Sequence, residues 1–153
     1  MSRLKIALDC DIPERLTEPM NLLYADQGFE FIHVRSLGHG RSHDEVWAKA
    51  FMQFGGVVSI SADKRITKLP HKMLAFQESG LKSYFMQPPW SDQKLNFKAA
   101  HLVYWWPALM LHIPVCAAGE CWQVPCALKN AEPEKFKQLK LPDHVIEAHT
   151  KTG

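Results

Sequence analysis

Four short apolar runs, at residues 4–8, 29–34, 57–61 and 81–86, are separated from one another by segments of helical character. They lack the polar alternation of strands with one wet face, which marks strands buried on both sides. The order βαβαβαβ with such strands predicts an α/β fold, a mainly parallel sheet covered by helices. The helical segments have their own signals. Residues 12–27 read as helical, with Pro19 either kinking the helix or delaying its start to about Thr17, and Gly28 closes the segment. Ser42 and Glu45 have capping-box spacing ahead of Val46, Trp47, Ala50, Phe51 and Phe54, which share one helical face before Gly55-Gly56. A further helix ends at Gly80, and a long one is expected over 91–112, kinked at Pro107, followed by a last strand at 121–124. The expected domain is 1–128, with a core at 4–87 and a C-terminal helix and strand at 91–126. Residues 129–153 are charged and contain proline, and read as a loosely packed tail.

A length of 153 residues suits one domain with a sizeable core. The net charge of +2 does not by itself mark a nucleic-acid binder, so a basic footprint has to come from local clustering. The opening residues are too short in apolar length for a secretory signal. Within 99–119 the ionisable side chains are His101 and His112. That segment is long enough to span a membrane, but Pro107 and Pro114 interrupt it and no basic cluster flanks it. It is expected to be a buried element or an oligomer interface, with no membrane association. Cys116, Cys121 and Cys126 have C-x4-C-x4-C spacing, unlike the paired C-x2-C of structural zinc sites. With Cys10 they read as reduced thiols of a cytoplasmic protein.

In an open α/β sheet, ligands bind beyond the carboxyl ends of the strands. Asp9 and Asp11 follow the first run, Asp63 follows the third, and Asp44 lies in the first turn of the helix entering that strand. Four carboxylates are therefore expected on one rim. Held ionised without basic partners they would repel one another, and a divalent cation removes that cost. Mg²⁺ or Mn²⁺ suits oxygen ligands and joins readily to phosphates, so the acids point to phosphoryl chemistry. Each acid also has a plainer reading. Asp11 can cap a helix, Asp44 can favour a helix's positive end, and Asp63 can open a turn. Lys64, Arg65, Lys68, His71 and Lys72 form a basic cluster beyond Asp63 that would suit a phosphate backbone or simply face solvent. Arg41 and His43 lie on the loop before Asp44 and join the substrate-binding candidates.

The series L-D-x-D-I-P at 8–13, D-E-x-W at 44–47 and V-V-S-I-S-A-D-K-R-I at 57–66 resembles the PIN-like proteins of the VapC-type toxin group, over residues 4–87. The resemblance implies a three-layer α/β/α nuclease whose acids bind Mg²⁺ or Mn²⁺ to hydrolyse RNA, often a dimer and often a toxin neutralised by an antitoxin. By position, Asp9, Asp44 and Asp63 correspond to its catalytic acids, and Asp11 to an extra acid of related sequences. A typical member has a further acid just beyond Asp63, where this chain has Lys64, Arg65, Ile66 and Thr67; Asp92 is the substitute within reach. Two other functions stay open. One is a catalytically weak or inactive PIN-like module that binds RNA or protein, for which the aromatic segment 102–111 would suit a dimer or partner surface. The other is a haloacid-dehalogenase-type phosphatase using Asp9 as nucleophile, although Ile12-Pro13 depart from the Gly-Thr or Val-Thr of that motif.

Overall fold

The opening apolar run forms β1 (Leu4–Leu8), and it pairs in parallel with β2 (Phe29–His33) on one side and β3 (Gly56–Ser61) on the other. The computed structural model of the chain describes residues 2–38, 44–141 and 144, without the side chains of Asp44 and Glu45. β4 (Lys82–Met86) and β5 (Cys121–Val124) continue the parallel sheet, and β6 (Lys137–Leu139) closes it antiparallel to β5. The strand order is β2-β1-β3-β4-β5-β6. The helices are α1 (Thr17–Tyr24), α2 (Asp44–Gln53), α3 (Pro70–Ser79) and α4 (Leu95–His112). α1 and α4 share one core with the sheet, whereas α2 and α3 share another, so helices cover both faces in three α/β/α layers. This is the expected fold, and its cause is the one read from the sequence: a parallel sheet must hide both faces.

Local chemistry sets the boundaries. α3 begins on Pro70, where a missing N–H costs nothing, and ends at Gly80 with φ 83°. At Gly56 a Cβ would overlap the ring of Phe51, so glycine lets α2 lie against the start of β3. α1 starts at Thr17 after a 3₁₀ turn at Glu14–Leu16. Its Asn21 side chain both donates to the Phe31 carbonyl (2.9 Å) and accepts from the Phe31 N–H (2.7 Å). Those two bonds satisfy the N–H and carbonyl of Phe31 on the outer edge of β2, which has no strand beyond it.

The 99–119 segment is core on one side. Leu102, Trp105, Trp106, Ala108 and Leu109 are buried, whereas Val103, Tyr104 and Leu111 are exposed. α4 starts at Leu95, later than expected, after a 3₁₀ turn at Trp90–Asp92, and it continues across Pro107. Among the described residues no helix is long and apolar enough to cross a membrane. Both histidines of the segment are buried among aromatic rings. His101 Nδ1 accepts from the Trp90 indole N–H (3.1 Å), and its Nε2 donates to the Pro125 carbonyl (2.7 Å). An imidazole that accepts at Nδ1 and donates at Nε2 is neutral.

Burial holds the pKa of His101 below its ordinary value, against the opposing pull of the Pro125 carbonyl. The unfolded chain therefore binds this proton more readily than the folded one. Stability is complete above about pH 6.5 and falls as pH drops from there toward the lower folded value. Burial depresses His112 with the same sign. Melting curves between about pH 7.5 and about pH 5 should show this acid-side loss. The loss should shrink in His101→Gln; an unchanged pH slope would remove the role from this histidine.

The C-terminal stretch corrects the expected tail. Phe136, Leu139 and Leu141 are buried, β6 extends the sheet, and Phe136 packs against Tyr84, Trp105 and His112. A few apolar residues among many charges suffice to cover the β5 edge, so the folded unit continues past 128. The cysteines are free, with Cys116 and Cys121 buried. Burial pushes their thiols up to about 11 and about 12, the values of inert interior residues.

Candidate active site

Parallel strands end on a common edge, and the register aligns the end of β1 with the end of β3 through Leu8 and Ile60. Asp9 extends that ladder by donating its N–H to the Ile60 carbonyl at 2.9 Å. The residue is buried, at 5% exposure. Oδ1 accepts from the Cys10 N–H (2.6 Å) and Oδ2 from the Ser61 hydroxyl (2.9 Å). Ser61 Oγ in turn accepts from the Asp63 N–H at 3.3 Å, so one buried hydroxyl links the two acids. Sequence reasoning missed Ser61. The available signal was a polar residue inside a strand with no wet face, shared with Ser59 and Ser83, which bond each other at 2.8 Å.

Asp63 lies two residues beyond β3, with its side chain 11% exposed. Oδ1 accepts from the Arg65 N–H (2.9 Å) and Arg65 Nε (3.2 Å), and Oδ2 lies 3.1 Å from Lys72 Nζ. Burial pushes this carboxyl up, but the bonds from Arg65 and Lys72 outweigh it and hold the pKa below the usual value. Lys72 reaches this edge because α3, running back between parallel strands, has its first turn there. Asp92 sits in the turn beyond β4 and binds Lys64 at 2.7 Å. Asp11, Asp63, Lys64, Arg65, Ser91 and Asp92 line an open pocket of about 450 Å³.

Asp11 is exposed on that pocket, and the N-cap of the 3₁₀ turn that follows is Pro13, not Asp11. The β1–α1 loop is fastened instead by His33, whose Nε2 donates to the Ile12 carbonyl (2.8 Å) while Nδ1 accepts from the Arg35 N–H (3.2 Å). Asp44 is the first residue of α2, which as a helix between parallel strands starts on this same edge. Its side chain is not described, and Arg41 and His43 lie outside the described residues. Lys68 and His71 are exposed on the loop and first turn leading into α3.

The premise of acids gathered without basic partners is corrected here. Asp63 and Asp92 are each paired with a lysine from the basic cluster, so Lys64, Arg65 and Lys72 do not form a separate basic face. The carboxylate oxygens are of the hard kind that Mg²⁺ and Mn²⁺ take. Ser91, which lines the pocket, has a buried Oγ with no hydrogen-bond partner among the described residues. No three ligating side chains are brought together among the described residues. The donor oxygens are of the kind a divalent cation takes, and at Asp63 a bound cation would meet Arg65 and Lys72.

A three-layer α/β/α protein with acids beyond the carboxyl ends of adjacent parallel strands is built to meet its ligand at that rim. The family model described as a PIN like domain matches residues 4–88, more than half of the chain, and the chain belongs to that family. No curated protein and no solved structure matches it.

Proposed function

We propose that the chain is a cytoplasmic, Mg²⁺- or Mn²⁺-dependent ribonuclease that hydrolyses RNA phosphodiesters at this rim. The observation that carries the reading is Asp9 and Asp63 at the ends of neighbouring parallel strands, joined through Ser61. Asp9, Asp11, Asp44 and Asp63 would hold the cation, which when bound polarises the phosphate and makes a water more acidic. Ser61 fixes the orientation of Asp9. Lys68 and His71, exposed on the loop and first turn leading into α3, suit contacts to the RNA backbone, which position a strand without reading its sequence. The resemblance to VapC-type toxins extends the reading to an antitoxin partner and a homodimer. The exposed Val103, Tyr104 and Leu111 of α4 offer an apolar surface for either.

The ion pairs on Asp63 favour a second reading, a PIN-like module that binds RNA or protein without cutting. Incubation with structured RNAs in Mn²⁺ or Mg²⁺ separates the two. Metal-dependent cleavage is expected; metal binding without cleavage of any substrate points to the binding module. Hydrolysis of p-nitrophenyl phosphate with RNA left intact would move the assignment to a phosphatase.

A further inference from the structure

Lys72 stands where its charge is unwelcome to its own helix. It is the third residue of α3, and the free N–H groups of a helix's first turn carry partial positive charge that disfavours a cation. α3 has no acidic residue in that turn to compensate. The Lys72 side chain is nevertheless only 18% exposed, with its ammonium brought to 3.1 Å from Asp63 Oδ2. Burying most of a lysine stem against the helix dipole requires a carboxylate answer, and Asp63 is one. On the other side, Asp63 receives two further donors from Arg65. The carboxylate that ends β3 therefore already has a cation of its own.

We infer that Lys72 is the built-in counter-cation of Asp63, and that a divalent ion binds this rim in competition with the Lys72 ammonium. The inference rests on the metal-binding part of the proposed function. Two cations sharing one carboxylate repel each other, and at a largely buried position solvent and salt screen that repulsion weakly. The resident ammonium thus lowers the affinity of the site for metal. It also keeps Asp63 ionised and satisfied in the metal-free protein, where an unpaired buried carboxylate would be costly.

The test measures Mn²⁺ binding by the full chain, from the electron paramagnetic resonance signal of free Mn²⁺, so it does not depend on cleavage. Lys72→Met and Lys72→Gln remove the charge and Lys72→Arg keeps it, with folding of each checked by circular dichroism. Both neutral variants are expected to bind Mn²⁺ about tenfold more tightly than wild type, with Lys72→Arg within about twofold of it. If the Met variant does not fold, the Gln variant, which keeps a hydrogen-bond donor, carries the comparison. Equal or weaker Mn²⁺ binding by the neutral variants overturns the inference, and wild-type cleavage of RNA in the same preparation would leave the ribonuclease reading intact. Tighter binding by the variants with no RNA cut by any of them supports the role of Lys72 and removes the ribonuclease. Absence of Mn²⁺ binding by every variant overturns the inference together with the metal site.

Discussion

Asp9→Asn is expected to lower Mn²⁺-dependent RNA cleavage by at least about 10²-fold, the loss typical when a group central to acid–base or metal chemistry is removed. The substitution keeps shape and removes charge. The asparagine oxygen can still accept from the Cys10 N–H, and its NH₂ can donate to Ser61 Oγ in place of the bond Ser61 now donates. One Ser61 proton then needs a new partner, so the stability cost should stay at about 1–2 kcal/mol. Cleavage rates and melting curves of the two proteins together separate chemistry from folding. Equal cleavage by wild type and variant would take catalysis away from this rim.

Trp106→Ala is expected to cost about 3–5 kcal/mol of unfolding free energy, the usual range for deleting a buried indole. Trp106 is fully buried and packs against Tyr24, Phe29 and Phe31 at ring separations of 5.8, 5.3 and 4.8 Å. Those partners come from α1 and β2, so this one side chain joins α4 to the far edge of the sheet. For a domain with about 5–15 kcal/mol in total, the loss is a large fraction of its stability. Urea unfolding followed by fluorescence or circular dichroism measures it. Trp106→Phe should recover part of the loss; a cost below about 1 kcal/mol for the alanine would mean that α4 holds to the sheet by other contacts.

Much of the site was readable because its acids sit where strands end, and strand ends are visible in sequence as the close of an apolar run. Asp9 and Asp63 were placed on that ground, whereas Asp44 was placed in the first turn of its helix by the capping-box spacing of Ser42 and Glu45. Lys72 was visible as one member of a basic cluster, but its bond to Asp63 was not, since it depends on how α3 turns back over the sheet. Asp11 reads as a cap because an Asp shortly before a helix-starting Pro often is one; the N-cap falls on Pro13, and the backbone there turns through the Asp9 carbonyl and the Ile12 N–H. Phe136 and Leu141 were hidden by their charged neighbours, because isolated apolar residues have no periodicity to announce burial.

The amino-acid order alone dictated the layers and the rim. Apolar runs without alternation must be buried on both faces, and helices between them must return each strand in the same direction. Tertiary packing decided which charges met. Hydrogen bonds and ion pairs are short-ranged, so the pairing of Asp63 with Lys72, of Asp92 with Lys64, and of Asp9 with Ser61 exists only after the strands are in register.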